Sequence, residues 1–126
     1  MADFVYDKTK KTFVGHGQNW KVRSGIPGSY SPTPNGLYTA PKGSLMAGAP
    51  GYGVPHDPKY AKAPYSYRDK KGFSWFFWIG SGKLGIHPDG NVPGTKGCIG
   101  IVEDDTKSLF DKLKQLNSGP VTIQVK

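Results

Sequence analysis

The sequence predicts a mainly β domain with one C-terminal helix. Its 126 residues include 18 glycines and 11 prolines, which separate a series of short apolar runs. Aromatic residues make up 13% of the chain, enough to build a core. Helical spacing of apolar residues is found only near the C-terminus. The length is typical of one domain, so we assign residues 1–126 to a single domain.

The N-terminal third is predicted to consist of strands joined by tight turns. The apolar runs 4–6 and 12–14 are separated by a charged turn, which is typical of a hairpin. Residues 20–23 form a third short run. The strand predicted at 37–40 follows an Asn-Gly dipeptide, which suits a turn that requires positive φ.

Residues 41–68 are rich in proline and glycine, which predicts a long loop and disfavours a helix or a central strand. Several tyrosines in this segment tell against disorder, because aromatic side chains can hold a loop against the body of a domain. We interpret the segment as a lid or side wall over a functional site.

Residues 72–80 are almost continuously aromatic and apolar, which predicts a central strand buried on both faces. The alternative is a platform on which the bases of single-stranded nucleic acid stack, since aromatic rows with basic neighbours can bind in that way. Continuous hydrophobicity favours the buried strand.

The C-terminal part predicts one helix and one strand. Acidic residues 103–105 favour a helix N-terminus, which Asp104 or Asp105 can cap. Asn, Ser, Gly and Pro at 117–120 end the helix, and the alternating run 121–125 predicts a half-buried strand. The apolar face of the helix, which we expect to join the core, consists of Leu109, Phe110, Leu113 and Leu116.

The stretch from 84 to 101 carries the residues most suited to chemistry. Cys98 is the only cysteine, and His87 lies eleven residues before it. The Gly, Pro, Asn and Asp residues between them predict a tight connection, and the apolar runs 83–86 and 99–102 predict strand ends. Two strands would therefore carry a sulfur and an imidazole to the same edge of a sheet.

This pairing suits nucleophilic catalysis. An ordinary thiol, with a pKa of about 8.5, is only slightly ionised at neutral pH, and the thiolate is the nucleophile. A neighbouring imidazole can accept the thiol proton or stabilise the thiolate. Gly97 leaves room for backbone N–H groups to form an oxyanion hole. The alternative is a buried structural cysteine and a turn histidine. We expect the sulfur and the imidazole to lie within hydrogen-bonding reach in an open groove.

Two motifs resemble those of the YkuD-type L,D-transpeptidases. Residues 95–99 read Thr-Lys-Gly-Cys-Ile after an upstream histidine and a Gly-rich loop, similar to that family's histidine followed by [Ser/Thr]-His-Gly-Cys. Residues 24–25 read Ser-Gly and residues 32–38 read Pro-Thr-Pro-Asn-Gly-Leu-Tyr, similar to the family's Ser/Thr-Gly followed by Thr-Pro-x-Gly-x-Tyr/Phe. The resemblance covers residues 20–102 and implies a curved sheet or β-sandwich with one C-terminal helix.

The sequence also departs from the family pattern. Lys96 stands where most members have a second histidine, Gly100 stands where many have asparagine, and the interval between His87 and Cys98 is short. These features resemble a compact branch that includes antibacterial effectors delivered by type VI secretion and some phage-borne cell-wall enzymes. That branch would add an immunity protein and a secretion apparatus as possible partners.

The resemblance implies an enzyme of peptidoglycan. Cys98 would attack the carbonyl of the third stem residue, a diaminopimelate, and expel D-alanine; water would give L,D-carboxypeptidase action, and an amine would give transpeptidation or D-amino-acid exchange. His87 would be the base and then the acid, and the N–H groups of Gly97 and Cys98 would bind the oxyanion. We expect no cofactor and no metal, because thiol acyl transfer needs none.

Three further residues of this loop are candidates for accessory roles. Asp89 could orient His87 or cap the turn. Thr95 could shape the loop, and Lys96 could bind a substrate carboxylate or face solvent.

A net charge of +8 and a pI near 9.6 favour anionic partners without choosing among them. No nucleic-acid motif and no apolar run of membrane-spanning length is found. The first residues do not resemble a signal peptide. We therefore expect export without a Sec signal, release by lysis, or removal of the start of a longer precursor, with action in the periplasm or cell wall. We also expect a monomer. The alternatives are a non-catalytic cell-wall-binding module of the same fold and a basic nucleic-acid or lipid-binding domain.

Overall fold

The computed structural model describes residues 2–24, 33–48, 69–71, 73–79, 84–88 and 98–126. Within these ranges the chain forms one helix and a nine-stranded sheet. The elements in chain order are β1 (Phe4–Asp7), β2 (Thr12–Gly15), β3 (Gln18–Arg23), β4 (Gly36–Ala40), β5 (Leu45–Gly48), β6 (Ser74–Trp78), β7 (Gly85–Pro88), β8 (Ile99–Ile101), α1 (Lys107–Leu116) and β9 (Val121–Val125). The mainly β class with a single C-terminal helix is therefore confirmed.

The strand order of the sheet is β4-β9-β1-β2-β3-β8-β7-β6-β5, and the sheet curves until it is nearly closed like a barrel. The pairs β1–β9 and β7–β8 are parallel, and the other neighbouring pairs are antiparallel. A parallel pair needs a crossover connection rather than a hairpin turn. The parallel pairing of β7 with β8 disagrees with the tight connection that the sequence predicted between them, whose residues 89–97 lie outside the described ranges.

The principal core lies inside the curve of the sheet and is closed by α1. Alternate residues of the strands point into it, because successive side chains of a strand face opposite sides. Trp75 and Phe77 of β6 are fully buried there, and the helix contributes Leu109 and Leu113. The predicted apolar face of the helix is confirmed.

The helix N-terminus is held by a carboxylate that is distant in sequence. Oδ2 of the buried Asp69 accepts hydrogen bonds from the Thr106 backbone N–H (2.9 Å) and hydroxyl (2.8 Å). The Trp75 indole N–H donates to the Thr106 hydroxyl at 2.8 Å. Asp105, one of the two predicted capping residues, accepts the Lys107 N–H at 3.0 Å. The N-cap is Thr106, without a side-chain cap bond, so the prediction that Asp104 or Asp105 is the capping residue is wrong. The contact with Asp69 was not predicted.

Two expectations need correction or limitation. Part of the segment predicted as loop, Leu45–Gly48, forms the edge strand β5. An edge strand tolerates proline and glycine at and near its ends, because one side of its backbone pairs with no other strand. The proline and glycine content of 41–68 therefore did not exclude a strand in this segment. Residues 49–68 lie outside the described residues, so the role of the segment as a lid stays a prediction.

The base-stacking interpretation of β6 is wrong. Trp75, Phe76 and Phe77 are each 0% exposed, and a buried ring cannot stack on a nucleotide base. The prediction that this strand is buried on both faces is confirmed.

Candidate active site

The pairing of β7 with β8 places His87 and Cys98 on one face of the sheet. His87 lies opposite Gly100 in the parallel register. Cys98 is two residues before Gly100, and residues two apart in an extended chain share a face. Strand spacing and rise then put the Cα atoms of His87 and Cys98 roughly 8 Å apart, within the combined reach of the two side chains. Gly100 adds no side chain between them.

Aromatic rings line the same face. The Phe76 ring stacks on the His87 imidazole, with centroids 5.8 Å apart and planes inclined by 13°. Phe76 also packs with Cys98 and with the half-buried Trp78, forming a small cluster separate from the principal core. The alternation along β6 thus divides its aromatic residues between the core and this candidate site.

Gly85 makes room for the aromatic wall. A Cβ atom at this position would fall on the Phe76 ring and lie 2.7 Å from the Phe77 carbonyl oxygen. Only glycine permits this approach of strand and ring. The ring in turn supports one side of the imidazole.

The imidazole of His87 is oriented by a backbone carbonyl. Nδ1 lies 2.7 Å from the Pro88 carbonyl oxygen, and a carbonyl only accepts, so Nδ1 carries the proton in this contact. The neutral ring therefore keeps its lone pair on Nε2, the atom that would accept a proton if His87 acts as a base. Burial lowers the pKa of His87 to about 4, partly offset by the Pro88 bond.

The Cys98 thiol lies at the entrance to β8 and is 7% exposed. Burial raises its pKa to about 11, partly offset by a hydrogen bond with the backbone of Gly85. The bond agrees with the register, which places Gly85 opposite Cys98 once the ladder is extended by one residue.

Both groups are therefore neutral at physiological pH. Burial moves the two pKa values apart, that of the imidazole downward and that of the thiol upward, and so disfavours a resting thiolate–imidazolium pair. The arrangement suits a neutral thiol that gives up its proton as it attacks. It does not suit a preformed ion pair.

Within the part of the chain that the structure describes, the open groove expected from the sequence is not found around His87 and Cys98. His87 is 1% exposed and Cys98 is 7% exposed, so both side chains are buried. Among the described residues, Phe76 of β6 contacts both side chains and contributes to their burial.

The remaining predicted site residues, Gly97, Asp89, Thr95 and Lys96, lie outside the described residues. Their roles stay predictions. Across the described ranges, no three His, Cys, Asp or Glu side chains are grouped so that they could hold a metal ion. Nor does that part of the chain contain a helix long and apolar enough to cross a membrane.

Sequence reasoning missed Pro88 and Gly85 as parts of the site. Pro88 acts through its carbonyl, which every residue possesses, so no sequence signal identifies it. Gly85 stands beside a predicted strand, and an isolated glycine in a strand can indicate close approach of another group. That signal was present in the sequence.

A family model provides the deciding comparison. The model of the YkuD family, described as the L,D-transpeptidase catalytic domain, matches residues 3–123, nearly the whole chain. The chain belongs to the YkuD family. The match includes both His87 and Cys98, and it confirms the resemblance at the level of the family. The assignment to a type VI secretion branch stays a prediction.

Solved structures show that the YkuD fold extends over the whole chain. L,D-transpeptidase 1 of Mycobacterium tuberculosis aligns with a TM-score of 0.58 and 17% identity, covering 98% of this chain and 58% of that one. The L,D-transpeptidase of Mycobacterium smegmatis gives 0.56 and 20% identity, with 98% and 57% covered. The chain thus spans less than three fifths of these mycobacterial proteins.

The catalytic domain of the E. faecium L,D-transpeptidase, solved as its ertapenem-acylated form, is similar in size. It aligns with a TM-score of 0.51 and 17% identity, covering 100% of this chain and 98% of that one. At such identities the similarity shows the fold. Comparison with curated protein sequences gave no significant match.

Proposed function

We propose that this YkuD domain is a cysteine-dependent enzyme that acts on the tetrapeptide stem of peptidoglycan, with Cys98 as nucleophile and His87 as base. The observation that carries the proposal is that β7 and β8 place these two side chains on one face of the sheet, with Nδ1 of the imidazole held by the Pro88 carbonyl. Membership of the family supplies the substrate class.

Acylation begins with a neutral thiol. As the Cys98 sulfur attacks the carbonyl carbon of the third stem residue, Nε2 of His87 takes the thiol proton. The new C–S bond gives a tetrahedral intermediate, whose oxyanion the N–H groups of Gly97 and Cys98 would bind. Collapse breaks the C–N bond, and His87 returns the proton to the amine of the departing D-alanine.

The thioester has two fates. Attack by water yields a tripeptide stem and regenerates the thiol, which is L,D-carboxypeptidase action. Attack by an amine yields a new peptide bond, which is transpeptidation or exchange of the terminal D-amino acid. In both cases His87 takes a proton from the attacking group and returns one to the sulfur. Lys96 is proposed to bind a substrate carboxylate, with Thr95 shaping the loop and Asp89 supporting the imidazole.

The test is mass spectrometry of purified tetrapeptide muropeptides incubated with the wild type, Cys98→Ala and His87→Asn. We expect the wild type to release D-alanine and both variants to lose this activity. Addition of a D-amino acid such as D-methionine distinguishes exchange from hydrolysis by the mass of the product. Release of D-alanine by Cys98→Ala at the wild-type rate would refute the role of the thiol.

A non-catalytic wall-binding domain of the same fold is the second candidate. The burial of Cys98 and His87, which holds both neutral, favours this alternative. Cosedimentation with insoluble peptidoglycan, combined with no release of D-alanine by the wild type, would support it. Turnover that depends on Cys98 would exclude it.

We also propose that the domain serves as an antibacterial effector with a cognate immunity protein. The support comes from the sequence: Lys96 in place of histidine and the short interval between His87 and Cys98. Directing the protein to the periplasm of a susceptible bacterium should cause lysis, and the same dose kept in the cytoplasm should not. Equal toxicity from both compartments would contradict action on the wall.

A further inference from the structure

A hydroxyl group outside the proposed catalytic pair is bonded to the backbone of the nucleophile residue. Oγ of Ser24 donates a hydrogen bond to the carbonyl oxygen of Cys98 at 2.7 Å. The two residues are 74 positions apart in the sequence. Because a bond of this kind restricts rotation about the Cα–C bond of Cys98, it influences where the thiol is held.

The bond occurs where the main-chain ladder ends. β3 and β8 pair antiparallel through Val22 with Ile101 and Arg23 with Gly100. Ser24 is the next residue after β3, and Cys98 is the second residue before Gly100. The side chain of Ser24 thus continues, beyond the last strand pair, the attachment between these two segments.

The Ser24 hydroxyl is itself fixed. The backbone N–H of Thr33 donates to Oγ of Ser24 at 2.7 Å, and the Thr33 hydroxyl lies 2.8 Å from the same oxygen. Since the single proton of Ser24 goes to Cys98, the Thr33 hydroxyl is the donor in this contact. Thr33 is fully buried, and its carbonyl accepts a hydrogen bond from Nζ of Lys8 at 3.0 Å. The chain of bonds runs from Lys8 through Thr33 and Ser24 to Cys98.

We infer that Ser24 is a positioning residue, which acts through the Cys98 backbone to hold the thiol in the geometry for attack. The inference deepens the proposed function and rests on Cys98 as its nucleophile. It assigns to Ser24 and Thr33, which belong to the two upstream sequence motifs, a role in positioning the Cys98 thiol. A displacement of about 1 Å between reacting groups can lower a rate on the order of 100-fold.

The test compares Ser24→Ala and Ser24→Thr with Ser44→Ala as a matched control. Ser44 is buried, whereas Ser24 is half-buried. The Ser44 hydroxyl also donates to a backbone carbonyl, that of Pro41, at 2.6 Å in the turn between β4 and β5. Each alanine variant loses a part-buried serine-to-carbonyl bond, and Ser24→Ala also removes the acceptor of the Thr33 N–H and hydroxyl. Thermal unfolding of each variant measures the resulting loss of stability. Only Ser24→Ala removes a bond to the nucleophile residue.

Two readouts are taken for every variant. In turnover of tetrapeptide stems, Ser24→Ala should lower kcat on the order of 100-fold with KM changed by less than about threefold, and Ser24→Thr should recover most of the loss. In alkylation by iodoacetamide, loosening of the Cys98 segment should raise the rate of Ser24→Ala on the order of tenfold. Ser44→Ala should match the wild type in both.

The two readouts separate this inference from the proposed function. If the wild type shows no turnover that depends on Cys98, the proposed function fails, and the alkylation rates alone decide the role of Ser24. Equal effects of Ser24→Ala and Ser44→Ala on alkylation, or on kcat where turnover exists, would overturn the inference. If Ser24→Ala does not fold, Thr33→Val serves instead, because it removes one hydroxyl contact to Ser24. We expect it to lower kcat and raise the alkylation rate by smaller factors. If Thr33→Val changes neither quantity, the inference is overturned.

Discussion

Protonation of His87 should destabilise the folded protein as the pH falls. The folded state lowers the pKa of His87 from 6.5 to about 4, because burial disfavours the charged ring. The unfolded state therefore binds more protons between these two values. The contribution to stability is complete above pH 6.5 and is lost as the pH falls through 4, a change of about 3 kcal/mol. That is a large part of the stability of a typical domain.

Urea unfolding, followed by the fluorescence of the three tryptophans at several pH values from 7.5 to 4, measures this change. His87→Asn keeps a donor near the position of Nδ1 and cannot take up a proton. Its free energy of unfolding should be lower at neutral pH and should lack the His87 component of the acid loss. His16→Gln, which alters a partly exposed turn residue, should retain that component. Parallel pH dependences for the wild type and His87→Asn would refute the account of a buried neutral imidazole.

Three further predictions follow from the same site and its support. Cys98 has a pKa of about 11, so it should react with iodoacetamide at pH 7.5 about 100-fold more slowly than a thiol with the ordinary pKa of 9.0. Its alkylation rate should rise about tenfold per pH unit up to pH 10. A rate that reaches a plateau by pH 8 would contradict this prediction. Gly85→Ala should cost about 1–3 kcal/mol and disturb Phe76, whereas Gly119→Ala, with nothing within 4 Å of the added Cβ, should be tolerated; thermal unfolding that ranks them equally would contradict it. Asp69→Ala should cost at least about 2 kcal/mol in urea unfolding, since its carboxylate accepts four hydrogen bonds, and a loss below about 0.5 kcal/mol would count against a structural role.

The β class and the helix could be predicted because they depend on local patterns. Leu109 and Leu113 repeat at helical spacing, and both are buried as that spacing requires. The strand at 121–125 alternates buried and half-buried residues, again as predicted. The edge strand Leu45–Gly48 was not predicted, because it depends on pairing with β6, which is distant in sequence. The glycine and proline residues around it also favoured the assignment of a loop.

The sequence allowed His87 and Cys98 to be chosen as candidate site residues. It did not allow the side chains that pack around them to be predicted. The sequence predicted that two strand ends joined by a turn-rich segment bring His87 and Cys98 together. The structure pairs β7 with β8 in parallel, with His87 opposite Gly100, and the catalytic pairing of the two residues stays a prediction. Both residues contact Phe76 from a third strand, and no local pattern predicts which face of β6 lies against them. The bond from Ser24 to the Cys98 carbonyl likewise spans 74 residues.

Trapping of an acyl-enzyme tests the nucleophilic role of Cys98 most directly. The protein is mixed with a disaccharide tetrapeptide, quenched in acid within milliseconds to seconds, and analysed by intact-protein mass spectrometry. The account predicts an adduct with the mass of the stem lacking D-alanine, located on the peptide that contains Cys98, removed by hydroxylamine and absent from Cys98→Ala. Turnover of the same substrate without such an adduct, or with an adduct that persists in Cys98→Ala, would contradict it.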